Sequence, residues 1–552
     1  MRSTAPPETS LPERVSPAVQ AKARLGALLP VVIWVALAAH LVWWVTENPL
    51  PDGFQNEYLH VGNAYDLWGA LRNQDVWHLR YYMYTGYWPW GFYAVPWPLL
   101  ALLGPGRLAL AAGNLIHLGA LLFGAHRLGR SLDAPLAPLI LVLCPGVFGS
   151  LVRFEPNLAV IAWTIAGVAC LVESAGLRRR RWVVAWGACL GLSLLFDRLT
   201  VGFFLGPAVL PLLWRMDRRR AVNLACGVGL AVFLTAAYYR EFFLRHTGEL
   251  LQQAPVGEID VAGQVTITGG PVPALYYPLT LVDSQAGVAI GTLMIIGMLA
   301  TLPGLWSAWR RDGADTLRRD PRFVLWAAIL PGVLLFTFIA KKQVFYTLPI
   351  LGPLAIFAAS RRRLAPVALL AGLYSFVGLG MGWSHSSVPP GPVLPLEWVA
   401  PRHTLAHPPS HARFPFEEVS ALLRESADPV DAILVLSEDQ QLFEGYVTLA
   451  MRESFPEAAV RGVVTDPRGT YELLAEQDAF VWVRAGDRAW PSARAIEREL
   501  LKDHVNIDLL PPVVDSVVAA ATSFEELGRL PVGAKTEIVV YGRVPEPTDK
   551  MR

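Results

Sequence analysis

The stretch PDGFQNEYLHVGNAYDLW, residues 51–68, places Asp52, Glu57, His60 and Asp66 in one short polar segment directly behind the first long apolar run. Carboxylates beside an imidazole can take and return protons. The aromatic strip that follows, RYYMYTGYWPWGFY at 80–93 with Tyr87 and Trp88 at its centre, can stack on a sugar or rest at a lipid headgroup. Together they make a site for a polar substrate brought to a lipid interface. Asp52, Asp66 and Asp75 read equally well as solvated loop charges. Glu57 differs, because Glu57, Tyr58, Val61, Ala64 and Tyr65 would share one helical stripe and turn the carboxylate toward the protein body. A carboxylate so placed needs a partner, and partial desolvation suits it to act as a general base.

A second acid, Glu155 in RFEPNL, lies in a short loop between two apolar runs beside Arg153. It reads either as a local pair with that arginine or as a carboxylate meeting Glu57 across a cavity. Cations stand at the ends of other runs: Arg198 in LLFDRLT, Arg240 behind the run at 221–239, and Lys341 with Lys342 in AKKQVFYTLP, near Tyr346. Snorkelling to the interface accounts for any one of them. Four on the same face as two acids are what holding a lipid phosphate beside a catalytic carboxylate requires. His403, His407 and His411 repeat at a helical spacing that would align metal ligands, but Pro408 and Pro409 break such a helix. No Gly-rich phosphate loop, nucleophile elbow or H-E-x-x-H occurs in a supporting context, so the chemistry rests on carboxylates and cations.

The elements that must position these groups are membrane helices. The chain has 552 residues, 53% of them hydrophobic, with 19 Trp, and its mean hydropathy is +0.38. That is too apolar for a soluble domain and points to a polytopic membrane protein. A formal net charge of +1 offers no basic face, which excludes nucleic acid as a partner. Cys144, Cys170, Cys189 and Cys226 all fall inside apolar runs and read as small buried hydrophobes. Apolar runs lie near 25–47, 88–104, 107–126, 134–152, 157–176, 182–214, 221–239, 285–309, 323–340, 344–360 and 364–383. RRRR at 178–181, RMDRRR at 215–220, the basic segment at 310–322 and RRR at 361–363 mark the cytoplasmic loops.

The run at 182–214 would make a helix about 50 Å long against a hydrocarbon core of roughly 30 Å. Interrupted by Asp197 and Arg198, it reads as a tight hairpin with the charged pair at the outer interface. The run at 88–104 reads as a re-entrant or interfacial helix, since a full crossing would break the charge parity of its flanks; a crossing with Arg107 inside is the alternative. About eleven crossings follow, with residues 1–24 a cytoplasmic tail, an uncleaved first helix and the C-terminus outside the cell (inner) membrane, in the periplasm. A Pro- and His-rich linker at 384–414 leads to an extracytoplasmic α/β domain at 415–552. There DAILVLS, DAFVWVR and TEIVVYG read as buried strands, and FEEVSALLRES and SARAIERELLKD as helices.

Four features of the membrane part, 25–383, resemble the GT-C glycosyltransferases, the group that includes protein O-mannosyltransferases and the lipid A aminoarabinose transferase. They are the acidic motif ending in Glu57-Tyr58 with Ala64 after it, YWPWGFYAVPWPLLALLG, GACLGLSLLFDRLTVGFFLGPAVLPLL, and AKKQVFYTLPILGPLAIFAA, the most specific. The resemblance implies a GT-C core and inverting transfer of a sugar from a polyprenyl-phosphate donor to an envelope glycan, lipid or protein. A carboxylate would activate the acceptor while cations hold the leaving lipid phosphate. By position it gives Glu57 and Glu155 the acidic roles and Lys341 with Lys342 the phosphate; His60, Tyr87, Trp88 and Tyr346 are the candidates for contacts to sugar or lipid. Where the family pairs Asp with Glu this chain has Asn56, so the base is Glu57 or a folded-back Asp52, or activity is lost and the protein is a scaffold. The family's divalent metal, Mg or Mn, stays an open question beside a lone carboxylate. A transporter of lipid-linked sugars would need midplane acids, broken helices there and an internal repeat, and the sequence carries none of these.

Overall fold

The computed structural model describes residues 17–47, 57–85, 88–104, 106–210, 216–252, 265–266, 277–278, 280–317, 320–338, 341–342, 344–380, 415–425, 432–437, 459–463, 479–485, 524–532 and 536–543. Asp52, Asn56, Tyr87, the linker with its three histidines and the expected helix SARAIERELLKD lie outside the described residues, as do the side chains of Tyr58, Lys341 and Lys342.

The first apolar run forms α1 (Pro17–Glu47), starting before the expected boundary at 25. The polar segment behind it is helical, as its stripe predicts: α2 (Glu57–Arg72) is followed by α3 (Val76–Thr85). The run at 88–104 becomes two short helices, α4 (Gly91–Ala94) and α5 (Trp97–Leu103), divided at Pro96. At a rise of about 1.5 Å per residue neither approaches the roughly 30 Å of a hydrocarbon core, which fits the re-entrant reading. Next come α6 (Arg107–Ala112) and α7 (Asn114–Ser131). The run at 134–152 is cut in two, α8 (Ala137–Val142) and α9 (Pro145–Val152). Pro145 restricts Cys144 to extended backbone and lacks an N–H, so it opens a new helix instead of continuing the old one. The helix α10 (Asn157–Glu173) follows.

The over-long run at 182–214 breaks where its charges lie. The helix α11 (Arg180–Phe196) ends at Asp197, a single 3₁₀ turn covers Arg198–Thr200, and α12 (Val201–Val209) begins. The long α13 (Arg218–Gln252) then packs on α11. A Cβ on Gly187 would lie 2.0 Å from the Gly227 carbonyl oxygen, so the two backbones meet where only glycine fits. Asn223 donates to the Leu177 carbonyl at one end of this pair, and the Tyr239 hydroxyl donates to the Leu194 carbonyl at the other. The contacts ascend together, so α11 and α13 are parallel and α12 must return between them. The run thus breaks at the charged pair as expected, but α12 packs against the helix at Pro321–Phe338, with Gly206 close to the Ala327 carbonyl, and not along α11 as a tight hairpin would.

Beyond α13 the pieces β1 (Val265–Thr266) and β2 (Lys341–Lys342) pair antiparallel. The helices α14 (Val288–Leu299), α15 (Leu302–Leu317), α16 (Pro321–Phe338), α17 (Leu351–Ala359) and α18 (Ala365–Ser375) complete the helical body, whose core is a continuous layer of Leu, Ile, Ala and Val side chains. Among the described residues four helices are long and apolar enough to cross a membrane unaided: Leu28–Glu47, Arg107–Ser131, Arg218–Phe242 and Val288–Arg311. Shorter apolar helices, among them Asn157–Glu173 and Pro321–Thr337, accompany them.

Helix direction sorts the charges into two poles. At one, Arg127 and Arg179 reach Glu173 (3.5 and 3.8 Å) and Arg362 reaches Asp133 (3.9 Å). Arg361 donates to the Ala300 carbonyl there as well. The other pole collects the residues that the sequence singles out for chemistry.

The C-terminal residues form a helix, α19 (Phe416–Glu425), and a five-stranded sheet of order β4-β3-β5-β7-β6. Its strands are β3 (Ala432–Ser437), β4 (Ala459–Val463), β5 (Ala479–Ala485), β6 (Phe524–Val532) and β7 (Thr536–Arg543). The first three are parallel, and β7 is antiparallel to both β5 and β6. The three expected strands are the inner ones. The two edge strands, AVRGV and FEELGRLPV, escape a hydrophobic pattern search because an edge tolerates the Gly, Pro and charge that a central strand excludes.

Candidate active site

Glu57 stands in the first turn of α2 and is fully buried. Val61, Ala64 and Leu67 bury the same face, so the predicted stripe does turn the carboxylate inward. The partner it meets is Arg107, at the start of α6. One guanidinium nitrogen spans both carboxylate oxygens (3.2 Å to Oε1, 3.0 Å to Oε2) and a second reaches Oε1 at 3.4 Å. The backbone N–H of Phe154 also donates to Oε1, at 2.9 Å. Arg107 itself lies over the Trp44 ring of α1, 5.3 Å from its centroid. One carboxylate thereby joins α1, α2, α6 and the loop behind α9. The pairing also puts Arg107 at the same pole as Glu57, which removes the alternative of Arg107 at the far end of a crossing.

That loop is held from a second side. Asn114, the first residue of α7, donates to the carbonyls of Leu151 (2.9 Å) and Arg153 (2.6 Å) at the end of α9, carbonyls that have no helical partner. The chain Arg153-Phe154-Glu155 is thus pinned between Asn114 and Glu57, and Glu155 is buried with Oε2 accepting from Asn157 Nδ2 at 2.7 Å. Glu155 lies one residue beyond the N–H that Glu57 captures, so the two acids share a wall of the pole.

The re-entrant helices lock onto this wall through rings. Phe92 stacks on Phe154 (centroids 4.6 Å) and on His117 (5.9 Å), and Trp163 Nε1 donates to His117 Nδ1 at 3.0 Å. Asn63 donates to the Tyr93 hydroxyl, whose own proton is then left for His60 Nδ1 at 2.9 Å. An accepting, neutral imidazole is consistent with its burial, which pushes its pKa down to about 3. His60 also meets Trp88 edge to face, 5.1 Å between centroids. His60 and Trp88 are thus brought together, as the aromatic strip suggests.

Beside them the α11 break comes into play. The Thr200 hydroxyl donates to the carbonyls of Ser193 (3.0 Å) and Asp197, closing the end of α11 and fixing Asp197 in extended backbone. Gly91 makes the approach of α4 possible, because a Cβ there would sit 2.8 Å from Leu195. The Arg198 guanidinium lies between Trp88 and Phe242, 5.3 and 5.2 Å from their centroids. Asp197 is buried and lines a small cleft with Asn157, Val160, Phe203, Tyr346, Leu348 and Pro349. Tyr346 reaches the cleft from the 3₁₀ segment directly behind β2, the strand that carries Lys341 and Lys342. Arg240 is exposed on α13, next to Tyr239. Asp66 is exposed, and Asp75 is bound to the His78 imidazole (2.5 Å) and backbone N–H, which hold its carboxyl below the usual range.

Of the predicted residues, Glu57, Glu155, His60, Trp88, Arg198 and Tyr346 gather at this pole. Sequence reasoning missed Arg107 as the partner of Glu57, Asn114 as the brace, and Asp197 as a cleft residue. Asn114 was detectable, as a lone carboxamide in an otherwise apolar stretch. Among the described residues no three His, Cys, Asp or Glu side chains come together as a metal ligand set. Glu57, the acid of the first-loop motif, already receives a guanidinium and an amide, so the described donors do not fit a divalent ion.

No protein-family model and no curated protein sequence matches the chain. Solved structures do resemble it. ArnT from Cupriavidus metallidurans bound to undecaprenyl phosphate is 13% identical with a TM-score of 0.51, covering 93% of this chain and 98% of its own. The apo state of that ArnT is 15% identical with a TM-score of 0.50, covering 92% and 97%. The oligosaccharyltransferase AglB from Archaeoglobus fulgidus, in complex with an inhibitory peptide and a dolichol-phosphate, is 9% identical with a TM-score of 0.45, covering 82% and 69%. The fold shared with the ArnT structures is the GT-C fold that the sequence resemblance implies.

Proposed function

We propose that the chain is a membrane glycosyltransferase that moves a sugar from a polyprenyl-phosphate donor to an envelope glycan, lipid or protein, with inversion, on the outer face of the membrane. The observation that carries this reading is the gathering of Glu155, Asp197 and Arg198 at the pole opposite the arginine clusters, where Tyr346, just beyond the strand of Lys341 and Lys342, lines the same small cleft as Asp197. It has further support from the fold shared with an ArnT structure that was determined bound to undecaprenyl phosphate. The positive-inside rule sets the arginine-rich pole in the cytoplasm, with the N-terminus, and leaves the cleft and the α/β domain outside. In the reaction a carboxylate of this pole takes the proton of an acceptor hydroxyl. The freed oxygen attacks the anomeric carbon from the side opposite the phosphate. The bond from that carbon to the phosphate oxygen breaks, and the departing lipid phosphate keeps the electron pair, stabilised by the cations. Glu57 has a bracing role, since its oxygens hold Arg107 and the Phe154 N–H.

Mass spectrometry of lipid co-purifying with the detergent-extracted protein tests the proposal. A polyprenyl-phosphate sugar with the wild type, and its loss from a Lys341→Ala, Lys342→Ala double variant, is the expected result. Equal lipid content in the two proteins would remove the lysines from the phosphate site.

A further inference from the structure

The arginine-rich pole holds a group of side chains that the transfer chemistry does not use. Helix α7 ends there, and its inner face is set by close contact with α10: a Cβ on Gly124 would lie 2.7 Å from the Ala166 backbone nitrogen, and Ala125 and Leu128 are fully buried. Ile116 and Phe123 are 53% and 40% exposed on another face, so this stripe of a membrane-length helix is the one turned to acyl chains. Arg127, one turn beyond Phe123, ends the same stripe. Its guanidinium lies over the Phe123 ring at 5.8 Å and over the Trp182 ring of α11 at 5.0 Å, and the two rings stack on each other. Arg181 covers Trp182 as well, at 5.7 Å. Apolar side chain, aromatic ring and guanidinium follow one another as they do where a helix end meets the headgroup layer.

Charge at this spot is unbalanced. Arg178, Arg179, Arg180 and Arg181 are all exposed at the start of α11, where the positive end of the helix dipole adds to their mutual repulsion. Glu173 takes Arg127 and Arg179, at 3.5 and 3.8 Å, and among the described residues no carboxylate pairs with Arg178, Arg180 or Arg181. A phosphodiester carried on acyl chains meets both the charge and the apolar stripe, whereas a soluble phosphate meets only the charge. We infer that the ends of α7 and α11 hold an anionic phospholipid of the inner leaflet, with its phosphodiester at Arg127 and Arg181 beside Trp182 and an acyl chain along Phe123 and Ile116. The site is separate from the pole assigned to sugar transfer and stands or falls without it.

Native mass spectrometry of the full chain in detergent, titrated with phosphatidylglycerol or with phosphatidylcholine of the same acyl chains, tests the site. Wild type is expected to retain phosphatidylglycerol about tenfold or more better than phosphatidylcholine, and Arg127→Gln with Arg181→Gln to lose that preference. Arg362→Gln with Arg363→Gln removes equal charge from the same pole, where Arg362 reaches Asp133, and is expected to bind within about threefold of wild type. Arg181→Gln alone breaks no ion pair and serves if the double variant does not fold, with a loss of about fivefold expected. Phosphatidylglycerol binding unchanged in the Arg181 variants, or equal retention of the two lipids by wild type, would overturn the site. Equal losses in the two double variants would also overturn it, since a diffuse field would then explain the binding. Displacement of the lipid by an equal concentration of glycerophosphoglycerol, the deacylated headgroup, would make the occupant a soluble phosphodiester and overturn the lipid assignment.

Discussion

Glu57 and Asp197 are both acids buried at one pole, and their settings differ: the Glu57 carboxylate ties four elements together, while Asp197 stands at the break in α11 beside a small cleft. Around Glu57 the chain spends a guanidinium, a backbone N–H and an indole face, from elements as far apart as α1 and the loop behind α9. Asp197 is the residue at which α11 ends; its backbone carbonyl accepts from the Thr200 hydroxyl, and the residue lines a small cleft. A buried acid is therefore a poor guide to chemistry until its contacts are known, because burial serves bracing as readily as catalysis.

The comparison breaks first at Arg107. Arg107→Ala would leave the Glu57 carboxylate buried without its cation, a change of about 3–5 kcal/mol, read as a large drop in the thermal midpoint in detergent. A double change of Glu57→Leu with Arg107→Met is expected to recover most of the loss, since apolar residues of similar volume often replace a buried pair without net cost.

A second test concerns His60, whose neutral state is part of the wall. Its folded pKa, about 3, lies below the ordinary 6.5, so the unfolded chain binds a proton that the folded one does not between those values. Stability should be fully present above about pH 6.5 and fall on acidification, by up to ~1.4 kcal/mol per pH unit from this group. His60→Phe should flatten that part of the pH profile; an unchanged slope would remove His60 as its source. The smallest stability effect sharpens the picture of the brace. Asn114→Ala removes the donor to the α9 carbonyls, and a loss of about 1–3 kcal/mol is expected, again by thermal midpoint.

Much of this arrangement was legible in the sequence, and the rest failed for local reasons. The inward turn of Glu57 followed from its helical stripe, and the break at Asp197 and Arg198 followed from a run too long for a bilayer with charges at its middle. Arg107 was not legible as the partner, because 50 residues separate it from Glu57 and no pattern encodes a contact of that range. Asp197 is legible as a charge too costly for mid-bilayer, but no pattern in the sequence shows that it lines a cleft with Tyr346 and Asn157, residues 149 and 40 positions away. In the C-terminal sheet the inner strands announced themselves through continuous apolar runs, while β4 and β6 were hidden by the freedom of an edge.

The central claim is that a lipid phosphate is handled at the Asp197 pole. Photo-crosslinking with an undecaprenyl phosphate bearing a diazirine in its first isoprene unit, followed by peptide mapping, tests it most directly. The account predicts label on peptides containing Trp88, Arg198 and Phe242, reduced by competition with unmodified undecaprenyl phosphate. Label confined to the opposite pole, around Arg178 to Arg181 and Arg361 to Arg363, or label that unmodified lipid does not displace, would contradict it.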